Sequence, residues 1–333
     1  MVKRCARWSG GLVAALLAAT LAVSPTATAA SAPDVPTTSS SAPEVSWTSY
    51  LAGTTDAYVP TSENDCTAGR PACLKTTLKE LAKIADTTAT SCSHDAVFAR
   101  SYVRMTQTYG WSRDIPGYYS DVPFANHQDA VFAKYFSNAF HAYQSGDRAS
   151  VPEAWQIAFD ASRDHKVSGA GSLLLGMNAH INRDLAFVLA GVGLVAPDGS
   201  SRKPDYDVVE KWLYTATKPL IAEIAARFDP TADDTDAPFG ISYATLFQMI
   251  SGWREGAWRH AEQLVSAPTP AARALVAASI ENEAASAAKA LLATQSYTPP
   301  LTSSDARDSW CAAHQGDTPP LSYDFGAAEP YGY

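Results

Sequence analysis

The sequence predicts an all-α protein: a single helical-bundle-like domain of about eight helices around a buried central helix, residues 171–194. Three observations carry this. Apolar residues recur at three- and four-residue spacing in segment after segment. No alternating β-branched run of useful length occurs, and no internal repeat. The stretch GSLLLGMNAHINRDLAFVLAGVGL, Gly171 to Leu194, is apolar almost throughout, with a polar knot only at its centre.

Each element has its own signal. Lys75 to Asp86 follows helical spacing through Leu78, Leu81 and Ile84, and Asp95 to Tyr109 repeats it with Val97, Tyr102 and Met105. Asp129 to Tyr143 sets Phe132, Tyr135, Phe136 and Phe140 in one arc, and the short run Val151 to Asp160 carries Trp155 and Phe159. Asp207 to Phe228 holds Trp212, Leu220 and Ile224 in register, with Pro219 predicting a kink. Ile241 to Val265 follows, and then Pro270 to Ala293, which Thr269 caps and Pro270 opens. Ser168-Gly-Ala-Gly-Ser172 reads as a tight start to the central helix, and the aspartates between Asp229 and Asp236 as a solvated loop.

The ends read differently. Lys3, Arg4 and Arg7, the apolar run Gly11 to Val23 and Ala27-Thr28-Ala29 describe a Sec-type signal peptide over 1–29. Residues 30–45 are a Ser/Thr/Pro/Ala linker, residues 46–296 the all-α domain, and residues 297–333 an extended C-terminal tail. The expected product is secreted and extracellular, with no membrane span. Removing three leader cations takes the net charge from −9 to about −12 (22 Lys+Arg against 34 Asp+Glu), which argues against nucleic acid as a partner. Cys66, Cys73, Cys92 and Cys311 survive processing, and an even number in an exported chain reads as two disulfides. Cys66–Cys73 with Cys92–Cys311 is the favoured one of three pairings.

The central knot is Asn178, His180, Asn182, Arg183 and Asp184. On an ideal wheel His180 and Asp184 share the apolar arc, while Arg183 points about 90° away, toward the surface. Asp129 falls among Phe136 and Phe140, whereas His141 faces outward. Arg254 lies inside the apolar arc of its helix and His260 at its edge. A buried guanidinium needs an acid, so Asp129, His180, Asp184 and Arg254 are expected to converge, with Arg254→Ala damaging and Arg183→Ala nearly neutral. His-x-x-x-Asp is also a usable half-site for a divalent metal such as zinc, with Asp129 and His260 the candidates to complete it.

The segment Gly176-Met-Asn-Ala-His-Ile-Asn-Arg-Asp-Leu185, with Trp253-Arg-Glu-Gly-Ala-Trp258 downstream, resembles DUF5995, a family of actinobacterial and other bacterial proteins of unknown function. The likeness covers roughly residues 75–295, and its most specific part is Asn-x-His-x-Asn-x-x-Asp. That family often has His where this chain has Arg183. The resemblance implies a fold and a site location, and brings no activity. A looser likeness, to helical zinc-dependent phospholipase C and nuclease enzymes, rests on His-x-x-x-Asp alone. Their further metal-binding histidines are not matched here. Two function classes follow: a secreted metal-assisted or acid–base hydrolase, and a non-enzymatic protein that binds a small ligand or uses its buried charges to fix the fold.

Overall fold

The computed structural model describes residues 56–234 and 243–323. The expected leader and linker, residues 235–236 of the acidic run and residues 324–333 of the tail lie outside them. Nine helices and no strand occur among the described residues. They are α1 (Ala72–Thr90), α2 (Ala96–Arg113), α3 (Val122–Gln144), α4 (Glu153–Arg163), α5 (169–192), α6 (Lys203–Arg227), α7 (Tyr243–Ser266), α8 (Pro270–Gln295) and α9 (Asp305–His314).

Capping sets several of the starts. Asp121 accepts from Phe124 N (3.1 Å) and Pro123 sits in the first turn, so α3 begins well before Asp129, where the aromatic arc alone would start it. Ser168 accepts from Gly171 N (3.1 Å) and opens α5; Thr269 accepts from Ala272 N (3.1 Å) and opens α8. Pro219 lies within α6, which runs through it.

α5 is one helix in three parts. Gly169–Met177 is α-helical, Asn178–Asp184 is a π-helix, and Leu185–Val192 is α-helical again. Apart from Ala170, Ile181, Asn182, Arg183 and Phe187, its residues are buried. The first part packs on α2, α4 and α8, and the π segment and last part on α3, α7 and α8. At Gly176 the backbone comes so close to α2 that an added Cβ would enter the Phe98 ring. Phe98, Phe136, Trp155 and Phe159 interlock below it.

Two expectations are corrected. The tail is not extended throughout: Ser304 precedes α9, whose first turn carries Asp305 and Asp308 at its positive end. The average composition of 297–333, rich in Pro, Gly and Tyr, conceals these ten residues. The acidic run is not wholly solvated, because Asp229 is buried and accepts from Gly169 N (2.5 Å) at the start of α5. Tyr119, in the loop after α2, is buried and bonded by Trp212 Nε1 (2.9 Å). Both disulfides have the favoured pairing, Cys66–Cys73 and Cys92–Cys311. No described helix is long and apolar enough to cross a membrane.

Candidate functional site

The site begins with the π turn. Its hydrogen bonds run from i to i+5, so each turn holds one more residue than an α-helix, and side chains downstream change direction. Asn182 Nδ2 donates to Asn178 Oδ1 (3.2 Å), and Asn178 Nδ2 donates to the Ala284 carbonyl on α8 (2.8 Å). These amides anchor the turn to its neighbour.

His180 and Asp184 are both buried, and His180 Nδ1 lies 3.4 Å from Asp184 Oδ2. Trp155 Nε1 donates to the same Oδ2 (2.8 Å), and Arg183 Nη1 donates to Oδ1 (2.7 Å). Arg183 continues to Glu281 Oε1 on α8 (2.9 Å from Nε) and lies over the Phe187 ring at 4.7 Å. The wheel expectation for Arg183 is thus overturned. A rotation of 100° per residue does not hold through a π turn, and Arg183, read as pointing to the surface, is half-buried and bonds the adjacent carboxylate.

His180 sits in an aromatic cage. Phe132 stacks on it with ring centroids 3.5 Å apart, Tyr102 meets it edge-on at 4.4 Å, and Phe98 and Trp155 close the sides. Burial lowers its pKa, against the raising influence of Asp184, so the ring is neutral near pH 7. With Nδ1–H donating to the carboxylate, Nε2 is left as the lone-pair nitrogen. It is buried and has no hydrogen-bond partner among the described residues; the same holds for Tyr102 Oη and Thr106 Oγ1 on the adjacent helix α2.

Asp129 projects from α3, half-buried. Burial pushes its carboxyl up to about 7, while Arg113 pulls it down. The Tyr102 hydroxyl is pushed well up, first by burial and then by the fields of Asp129 and Asp184, which places it within electrostatic reach of both. Asp129 and Asp184 thus both act on the Tyr102 hydroxyl.

Arg254 and His260 are engaged elsewhere. Arg254 Nη2 donates to the Tyr206 carbonyl (2.6 Å), its guanidinium lies 4.1 Å over the Tyr206 ring, and Nε is 3.6 Å from Glu210 Oε1. Its acid is on α6, not Asp129 or Asp184. His260 Nε2 is 3.3 Å from Glu283 Oε2. Of the four expected residues the structure joins His180 to Asp184 and leaves Arg254 to a separate pair. Arg183, Trp155, Tyr102 and Glu281 complete the network. None shows a distinctive motif; Trp155 and Tyr102 read as ordinary core aromatics.

The fold and site together define an all-α, disulfide-bonded domain built around a buried histidine–aspartate pair on a π turn. Residues 74–294 match the family described as "Family of unknown function (DUF5995)", and the chain belongs to that family. No curated protein and no solved structure matches it.

Proposed function

We propose that the chain is an exported enzyme of the hydrolase type in which His180 is the general base and Asp129 the general acid. One observation carries this: His180 Nε2 belongs to a ring fixed by a carboxylate on its far side, yet meets no partner among the described residues. A buried lone pair without a donor has lost its hydration, and a polar substrate or attacking water restores it. Asp129 supports the pairing, because a carboxyl raised to about 7 keeps a proton to give while a neutral imidazole accepts one. The two disulfides support export.

The metal-assisted form of this reading puts a divalent ion such as zinc on His180 Nε2, with Asp184 as the carboxylate behind the ring and Asp129 as co-ligand. The non-enzymatic reading is favoured by a different observation. Every donor around Asp184 is already used, as in a network that fixes helix register. Chromogenic carboxylate, phosphate and amide esters tested against the purified protein separate these. The enzyme reading expects turnover of one class that falls by about 10²–10⁴ in His180→Gln with the melting temperature retained. Metal that disappears in the same variant identifies the metal-assisted form. Absence of turnover, with His180→Gln changing only stability, leaves the non-enzymatic reading.

A further inference from the structure

We propose that His94, His165 and Asp308 form a second site, independent of His180, that binds a transition-metal dication of the zinc type. The three come from the turn before α2, the turn after α4 and the helix α9. Their ligand atoms all lie within 4.8 Å of one another. His94 Nε2 is 2.7 Å from Asp308 Oδ1, and His165 Nδ1 is 2.9 Å from Asp308 Oδ2, so one carboxylate bridges two imidazoles.

The spacing suits an ion. Ligands bound at about 2.1 Å in a tetrahedron stand about 3.4 Å apart. The two short pairs need only open by about 0.5–0.7 Å to admit the metal between them. The surroundings are built and not accidental. His94 is buried and its ring lies 4.1 Å from that of His165. Ser304 Oγ donates to Asp308 Oδ2 (2.9 Å), orienting the carboxylate. The disulfide Cys92–Cys311 ties together the two segments that carry His94 and Asp308. His165 is exposed, leaving one side open for a water as fourth ligand.

Binding needs a change of tautomer and no net loss of protons. The His165 proton moves to Nε2, and the His94 proton moves to Nδ1, where Arg307 Nη1 lies 3.0 Å away. That nitrogen has two hydrogens and three partners, the others being the Val167 carbonyl (2.8 Å) and Ser172 Oγ (3.1 Å). It can release His94 and stay bonded, and the His94 Nδ1–H then faces a donor, a cost that the metal–nitrogen bond has to exceed. The Arg307 charge is opposed by Asp229 and Asp308, and it is felt by the buried Asp95. Two imidazoles and a carboxylate select zinc over calcium or magnesium, which take oxygen ligands.

The test is equilibrium dialysis of EDTA-treated protein with zinc chloride, in the presence of excess calcium and magnesium. The expected result is one zinc per chain and a higher melting temperature. Asp308→Asn and His165→Asn should each weaken binding by at least about tenfold. Asn tolerates the left-handed backbone of His165 (φ +51°), so the fold, followed by circular dichroism, is retained. His180→Gln should keep one zinc per chain, and a second zinc seen in the parent alone would belong to His180. Failure to retain zinc, binding unchanged in His165→Asn, or no zinc at all in His180→Gln each overturns the proposal.

Discussion

Asp184 takes hydrogen bonds from Trp155, Arg183 and His180 while having no contact with solvent, which makes its partners unequal to ordinary surface charges. Arg183→Ala leaves Oδ1 of a buried carboxylate bare and is expected to cost about 3–5 kcal/mol. Arg254→Ala removes one hydrogen bond to a carbonyl and the cover of the Tyr206 ring, for about 1–3 kcal/mol. Urea melts of the two variants check this order, which reverses the one an ideal helical wheel predicts; a costlier Arg254→Ala would contradict it. Asp129 yields a pH prediction. Its folded value of about 7 lies above the ordinary 3.8, so the folded state holds the proton more tightly. Stability from this group is complete below about pH 4 and is lost as pH rises through 7. The full shift corresponds to about 4 kcal/mol, and the partial solvent contact of Asp129 brings the expected loss nearer about 2 kcal/mol. Asp129→Asn should flatten that part of the stability–pH curve.

Among the elements, α5 shows what close approach demands. Gly176→Ala would drive a methyl into Phe98, whose ring packs against Phe136 and Trp155 at 5.1 and 5.3 Å. The expected cost is about 1–3 kcal/mol, read from thermal melts, and a neutral effect would mean that α2 and α5 can separate. The helices themselves were legible in the sequence because each carries an apolar stripe, and Thr269-Pro270 and Ser168 announced two starts. The π turn was not legible. Nothing in Asn178 to Asp184 distinguishes i→i+5 from i→i+4 bonding, so the pairing of His180 with Asp184 was readable and the direction of Arg183 was not. Likewise Arg254 was rightly read as inward, but its acid, Glu210, sits on the edge of α6, outside any list of inward carboxylates. The convergence of His94 with Asp308 had one faint signal. They stand two residues after Cys92 and three before Cys311, so the expected disulfide implied their proximity.

Over the whole molecule the two disulfides act on very different scales. Cys66–Cys73 joins residues 7 apart, and Cys92–Cys311 joins residues 219 apart. On the chain-entropy account, removing the first pair is expected to cost about 2 kcal/mol and the second about 5 kcal/mol. Urea melts of the two double Cys→Ser variants compare them, and equal losses would show that strain or residual denatured structure outweighs loop length. The long bond spans eight of the nine described helices and carries α9 onto α6. The disparity also resolves a problem of order. A chain emerging from its N-terminus exposes Cys92 long before Cys311 exists, with two wrong partners already present. Where the Cys66–Cys73 loop closes first, both competitors are out of circulation before the last thiol is reached. When the last thiol arrives, Cys92 has one choice left, and of the three possible connectivities only the native one remains open to it.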